Sequence, residues 1–422
     1  MKLRNGNRIC CALLLLGLSL GGCAEAHEET LENSQIFVLS EEDIWGKVSD
    51  DIVSGEIQAS ESEEEDWQET DSFLEQGVGY ARSKLTAAEQ IWYDDIEEIL
   101  GNFKLHTLLS IEGLEAGLTE ENIDRVFQCV LNDHPELFYV DGYSYTKYTR
   151  YGHEDEIDSL EFSGRYSMER EAAISRRDQI QEAVCRLLAG IDSDAEDYEK
   201  VKYVYDTLIK ETEYQLDAPD NQNIYSVFVN HLSVCQGYAK ATQYLLNRLG
   251  VECVLVLGTV NHGEGHAWNL VNVDGSYYYV DTTWGDASYQ PEEDGSLNAV
   301  SQPEIIYDYL NVTTAELVRT HMIGGEVPMP VCDSTAANYY VKEGALFSDY
   351  DKEQMASLFD RKLSEGMTDV TIKCTSYDCY QKVTEALINR QEIFQYLSGM
   401  GDTVSYTRND TQLSVTFWVT NE

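Results

Sequence analysis

Positive charge is what this sequence most lacks: 29 lysines and arginines stand against 76 aspartates and glutamates, for a formal net charge of −47. That balance argues against nucleic acid as a partner and against adsorption to an anionic membrane surface; basic peptides or amine-bearing polymers would be attracted instead. Beyond the first twenty or so residues no run is apolar enough to span a bilayer, which takes about 20 such residues in a helix. No pair of cysteines has the CxxC spacing of a zinc ribbon, and there is no helical HExxH, so two common zinc signatures are missing. Nor is there an internal repeat, and 422 residues therefore divide into two or three distinct units.

The chain opens with a positive stretch (Lys2, Arg4, Arg8) and the apolar run ICCALLLLGLSL, a targeting pattern too short for a comfortable membrane span. It ends in LGGC, Leu20 to Cys23, which resembles the bacterial lipoprotein cleavage box. The resemblance implies that residues 1–23 are a signal peptide, with Cys23 lipidated and the mature chain exported and tethered to the outside of the cell membrane; the alternative is ordinary secretion with cleavage near Ala24 and Ala26. Cys129, Cys185, Cys235, Cys253, Cys332, Cys374 and Cys379 remain after Cys10, Cys11 and Cys23 are set aside. Seven is odd, so one thiol stays free if the others pair; export permits disulfides and the spacing does not demand them.

Residues 24–84 are acidic and carry SESEEEDW at their centre, the composition of a disordered, solvated stalk. A small α+β unit is expected over 85–164: TAAEQIWYDDIEEILGNF and LTEENIDRVFQCVLNDHPELF read as helices, Pro135 closing the second, and YVDGYSYTKYT as a strand pair around an Asp-Gly turn. Over 165–330, helices at Met168–Leu188 and Asp197–Lys210 precede LSVCQGYAKATQYLLNRLG, Leu232 to Gly250. This last stretch reads as an amphipathic helix with Ala239, Thr242, Leu245, Leu246 and Leu249 on one side, a Ser233–Gln236 capping box and a glycine stop. VECVLVLGTV is then a buried strand, and HAWNLVNVDGSYYYVDTTW a hairpin turning at Asp274-Gly275. Residues 331–422 form a further α+β domain with the strand DVTIKCTSY, the helix YQKVTEALINRQEIFQYL and the hairpin DTVSYTRNDTQLSVTFWVT.

Cys235 falls in the first turn of its helix, next to Gly237. The positive end of the helix dipole favours thiolate there, while an interior glycine costs about 1 kcal/mol and calls for a compensating close approach. About thirty residues on, the hairpin supplies a histidine and an aspartate. A two-residue Asp274-Gly275 turn pairs Val273 with Ser276 and, continued, brings Trp268 opposite Asp281. His266 then shares a face with Asp281 on the diagonal, about 7 Å away along the backbone and within carboxylate reach. A carboxylate that holds one imidazole nitrogen and aims the other at a thiol is the arrangement cysteine catalysis requires.

VCQGYAKA, HAWNLV and YYVDTTWGD, in that order and spacing, resemble the transglutaminase-like superfamily. The resemblance covers roughly Tyr203 to Asp286 and implies an α+β chain with a papain-like core, in which Cys235 is nucleophile, His266 base and Asp281 orienter. It implies acyl transfer on a protein or peptide amide through a thioester: water as acceptor makes a peptidase or amidase, a lysine amine makes a cross-linker. The Cys235 N–H is the natural first oxyanion donor; the family takes a second from an upstream side chain, for which Gln222 and Tyr225 are the candidates. NDHPELFYVDGY and the region after Val331 also resemble bacterial members but suggest no chemistry.

No cofactor and no metal are expected. No calcium loop is present. His262, Glu264 and His266 alternate and could face one way as zinc ligands, but Gly263 and Gly265 between them argue for a mobile loop. A non-enzymatic reading, a cell-surface scaffold or binding protein on the same core, would suit the stalk and the last domain but has no need of a cysteine, a histidine and an aspartate together.

Overall fold

A computed structural model describes residues 34–40, 79–150, 153–260, 263–287, 305–397 and 404–418. The expected signal peptide with Cys23 lies outside these residues, and so does most of the expected stalk. Within 24–84, Ser34–Ser40 is a strand (β1) and Tyr80–Ser83 a short helix (α1), so the disordered reading does not extend to them. The chain divides into two compact units, Met1–Glu182 with Gly324–Pro328, and Ala183–Ile323 with Met329–Glu422.

In the first unit, α2 (Ala87–Gly101) starts on a full capping box between Thr86 and Glu89. It is followed by β2 (Thr107–Leu108), α3 (Ile111–Glu115) and α4 (Ile123–Asp133), which ends ahead of Pro135. Trp92, Tyr93 and Ile96 of α2 are buried with Val126, Phe127 and Val130 of α4. Strands β3 (Val140–Arg150) and β4 (His153–Tyr166) complete an antiparallel sheet in the order β1-β3-β4-β2. The expected Asp-Gly turn is not one: Asp141 and Gly142 lie inside β3, where the register against β4 slips between Val140 and Gly142, so the pair makes a bulge. The end of α4 and the residue after it tie the helices together. Asp133 accepts the Ala81 and Arg82 backbone N–H groups and the Tyr93 hydroxyl, while buried His134 sits between Glu97 at 2.8 Å and Glu136 at 2.7 Å.

The second unit holds Cys235, His266 and Asp281. After α5 (Arg170–Leu188) and α6 (Asp197–Glu211), the two-residue strands β5 (Glu213–Tyr214) and β6 (Leu232–Ser233) pair in parallel and bring the chain to α7, Cys235–Arg248. Strands β7 (Cys253–Val260), β8 (Glu264–Val273), β9 (Ser276–Val280) and β10 (His321–Ile323) form an antiparallel sheet in the order β10-β7-β8-β9. β7 is buried along almost its whole length, which is why it reads as an unbroken apolar run. Ala239 of α7 packs on Leu255 and Ala267, and Asn269 of β8 donates its side-chain N–H to the Ala239 carbonyl at 2.9 Å.

Residues 331–422 carry their own sheet, β11 (Leu346–Phe347), β12 (Asp369–Cys374), β13 (Ser405–Asn409) and β14 (Ser414–Trp418), in the order β11-β12-β14-β13, and share one compact unit with the core. The helix expected from Tyr380 onward is broken. Regular helix spans Tyr377–Thr384, a wider turn follows at Glu385–Asn389, and Gln391 at φ +58° redirects the chain into Glu392–Gln395. A buried ion pair joins this sheet to the core: Lys373 donates to Asp308 at 3.0 Å, and Asp308 also accepts from Ser414 at 2.7 Å. All seven cysteines among the described residues are free thiols.

Candidate active site

The site begins where α7 does. The structure does not contain the expected Ser233–Gln236 capping box: Val234 is the cap residue and offers no side-chain bond. Ser233 is turned the other way, its hydroxyl donating to the Asn221 carbonyl at 2.6 Å and lying 3.0 Å from the Ser226 hydroxyl. Val234 donates its backbone N–H to the same Asn221 carbonyl at 3.0 Å. The loop before the helix therefore clamps its start, and this accounts for Gly237. A β-carbon there would collide with Ser233 Oγ and come within 2.8 Å of the Asn221 carbonyl oxygen. Glycine permits that approach, and Cys235 becomes the first residue of the helix, where its N–H has no intrahelical acceptor. Gln222 and Tyr225, the candidate oxyanion donors, are half-buried on the segment held against this first turn.

The hairpin turns at Asp274 and Gly275 with φ of +52° and +80°, the left-handed pair a two-residue turn requires. Pairing runs without a slip from Val273↔Ser276 to Asn269↔Val280, so the next pair, Trp268 and Asp281, shares a face. His266 lies two residues further along that face. Its Nε2 is 2.7 Å from Asp281 Oδ2, with both side chains 1% exposed. Because an ionised carboxylate only accepts, Nε2 carries the proton, which leaves Nδ1 free to face Cys235, a residue near enough to act on the charge of this ring. The three residues proposed from spacing are thus brought together. Cys235 is 7% exposed against 2% for His266 and 1% for Asp281, so it is the most accessible residue of the three.

Electrostatics follow from the geometry. Burial pushes the His266 pKa down, but the Asp281 carboxylate, with a further contribution from Cys235, outweighs it and lifts the ring to about 10. Burial would raise Asp281; His266 and a second histidine hold it well below the usual carboxylate range. That second histidine, His321 of β10, escaped the sequence reading. Its Nε2 lies 2.9 Å from the same Asp281 Oδ2, and its Nδ1 is 2.8 Å from the Thr320 hydroxyl. The other oxygen, Oδ1, accepts the Trp284 N–H at 3.1 Å and so caps the helical turn Thr282–Gly285. Trp268, Trp284 and Tyr309 ring the imidazoles, with centroids 4.8 to 6.1 Å from them.

His262 lies outside the described residues, and Glu264 is exposed at the start of β8 while His266 is buried. The donor atoms of His266, Asp281 and His321 lie within 4.8 Å of one another. Two hydrogen bonds onto Asp281 account for that spacing, and no ligand role is assigned to the three.

The model of the transglutaminase-like superfamily matches residues 186–282, a range that contains Cys235, His266 and Asp281. Kyphoscoliosis peptidase of Mus musculus is 28% identical over 123 residues, which cover 25% of this chain and 18% of that protein. The chain thus spans under a fifth of the length of that curated relative. Among solved structures, a TGase matches at 17% identity over 35% of this chain and 48% of its own, with a TM-score of 0.25. Menin, in a structure that reveals its binding site for Mixed Lineage Leukemia protein, matches at 16% identity over 52% and 47%, with a TM-score of 0.23. Neither superposition is close enough to bear on the site. It is over residues 186–282, an α+β stretch with a cysteine at a helix start and a histidine on the sheet behind it, that the chain carries a transglutaminase-like domain.

Proposed function

We propose that this protein is a cysteine enzyme that performs acyl transfer on protein or peptide amides, with Cys235 as nucleophile, His266 as general base and acid, and Asp281 as orienter. One observation carries the reading: His266 is held by Asp281 through Nε2 at 2.7 Å, with Cys235, the first residue of α7, near enough to favour the charged ring. The similarity to a peptidase agrees with an amide substrate. A scaffold on the same core would need none of these three residues, and that reading is not favoured.

The steps follow from the residues. The Cys235 thiol proton passes to His266 Nδ1, and the ionised Asp281 keeps the imidazolium charged at neutral pH. The sulfur attacks the amide carbonyl, and the oxygen that gains charge is met by the Cys235 N–H at the helix start; Gln222 or Tyr225 is the candidate second donor. The tetrahedral intermediate collapses as the imidazolium gives its proton to the departing amine, leaving a thioester on Cys235. His266, now neutral, takes a proton from water or from an incoming amine, which attacks the thioester and regenerates the thiol. Water gives peptidase or amidase activity; a lysine amine gives cross-linking. No cofactor or metal enters either path.

Incubation of the mature protein with glutamine peptides and a labelled amine, read by mass, separates hydrolysis from amine incorporation. Both products should vanish in Cys235→Ala; product formation that survives this substitution would sink the proposal. The chain is further proposed to be exported and anchored through lipid on Cys23. Cys23→Ser should release it from the membrane fraction and remove the acyl mass from its N-terminus; an unchanged distribution and mass would refute anchoring. No helix among the described residues is long and apolar enough to cross a membrane.

A further inference from the structure

His321 belongs to neither the nucleophile nor the histidine–aspartate pair that the family motif supplies, yet it is a second histidine donor to the orienting carboxylate. Its place comes from sheet register. β10 pairs His321 with Val260 and Ile323 with Gly258 on β7, and β7 in turn pairs Val260 with Glu264 and Gly258 with His266 on β8. Paired residues share a face, so His321 and His266 lie on one side of the sheet, two strands apart. On that side β7 presents Gly258, which has no side chain, in register with His266. The two rings come to 5.5 Å between centroids, and both point Nε2 at Asp281 Oδ2, at 2.7 and 2.9 Å.

We propose that His321 is a positioning residue for the reaction: by donating its Nε2–H to Asp281 Oδ2 it keeps that carboxylate ionised and fixed in the orientation that holds His266 against Cys235. This inference rests on the cysteine-enzyme reading above. A carboxylate buried to 1% exposure has to gain its stability as an anion from donors. The Trp284 N–H supplies one on Oδ1 and His266 another on Oδ2. His321 supplies a third that takes no part in proton transfer and so stays in place throughout the cycle. Burial, and then the nearby His266, lower the affinity of its own ring for a second proton, in spite of Asp281, and because an ionised carboxylate only accepts, the one ring proton sits on Nε2. The titratable groups that face Asp281 are His266 from β8 with Cys235 behind it, His321 from β10, Tyr205 from α6 and Tyr309 from the turn 307–309. Both tyrosines are held well above their ordinary range, first by burial. That leaves the two histidines and the thiol as the partners of Asp281 below pH 9.

The test is the pH dependence of Cys235 alkylation by iodoacetamide in the full mature chain with Cys185→Ser, which removes the exposed competing thiol. Without the His321 donor, Asp281 protonates more readily and releases the imidazolium at a higher pH. His321→Phe is therefore expected to move the acid limb of the profile upward by about one pH unit, about a tenfold loss of rate below it. His321→Gln, which restores a side-chain N–H at similar reach, should bring the limb most of the way back. An unmoved limb in His321→Phe, with Cys235 still the fastest thiol, would overturn the positioning role and leave the enzyme reading standing. No preferential alkylation of Cys235 in the parent would overturn both. If His321→Phe does not fold, ring ¹⁵N spectra of the parent decide: a proton on Nε2 of His321 supports the proposal, and a proton on Nδ1 refutes it.

Discussion

Asp281→Asn is the substitution whose consequences the geometry defines most fully. The carboxylate accepts three hydrogen bonds, from Trp284 N–H on Oδ1 at 3.1 Å and from His266 and His321 on Oδ2 at 2.7 and 2.9 Å. An asparagine oxygen in the Oδ1 place keeps the Trp284 cap. Its NH₂ then sits where Oδ2 was and presents donors to two donors. His266 can meet it only by accepting at Nε2, which moves the ring proton to Nδ1, against the Cys235 sulfur. The ring can then no longer take the thiol proton, and without the carboxylate charge only Cys235 is left to oppose burial, which favours the neutral ring. Two charge-assisted bonds are lost, each worth about 1.5–3 kcal/mol, while the cost of burying a charge is also removed. The net destabilisation should be roughly 1–3 kcal/mol, small enough for the unit to stay folded. Turnover should fall on the order of 10³–10⁴-fold, the cost of a wrong histidine tautomer. Thermal unfolding, Cys235 alkylation at pH 6 and peptide turnover are the assays. A folded Asp281→Asn variant with alkylation and turnover within about threefold of wild type would refute the orienting role.

Gly237→Ala tests the clamp at the helix start. Helix propensity alone predicts a gain of about 1 kcal/mol, but the collision with Ser233 Oγ and the Asn221 carbonyl should cost about 1–3 kcal/mol, so urea unfolding should show a loss or no gain, together with slower Cys235 alkylation; a clear stabilisation would remove the clamp. In the first unit, burial lowers the His134 pKa, but Glu136 and Glu97 raise it to about 10. The folded value lies above the unfolded one near 6.5, so the clamp's stabilisation is full below pH 6.5 and fades as pH climbs through 10. The urea midpoint should accordingly fall between pH 7 and 10 in wild type, and less steeply in His134→Gln; parallel profiles would contradict it.

What could be seen in the sequence and what could not divides along the range of the interactions. The α7 helix, the β7 strand and the β8–β9 hairpin are legible because each is set by local pattern, and the Asp274-Gly275 turn carries the register as far as Val280, the residue before Asp281. The partners of Gly237 were hidden, since the atoms that exclude a side chain lie in Ser233 and in a loop at Asn221 and Asn223. Ser233 was misread for the same reason: a serine before a helix is a cap by local rules, but a loop carbonyl claims its hydroxyl. Asp141-Gly142 has the letters of a turn, yet the strand runs on and absorbs them as a bulge. His321 left no signal at all. It sits on a three-residue edge strand, 40 positions after the carboxylate it serves, and neither period nor motif marks so short an element.

The central claim is that Cys235 is a nucleophile made reactive by His266, and thiol mapping tests it most directly. Burial raises the other core thiols, Cys332 to about 11 and Cys129 to about 12, with Cys253, Cys374 and Cys379 also pushed up. With Cys185 replaced by serine, iodoacetamide at pH 6 should label Cys235 first, and His266→Ala should abolish that preference. Labelling spread evenly over the cysteines of the folded protein, or a Cys235 rate untouched by His266→Ala, would contradict it.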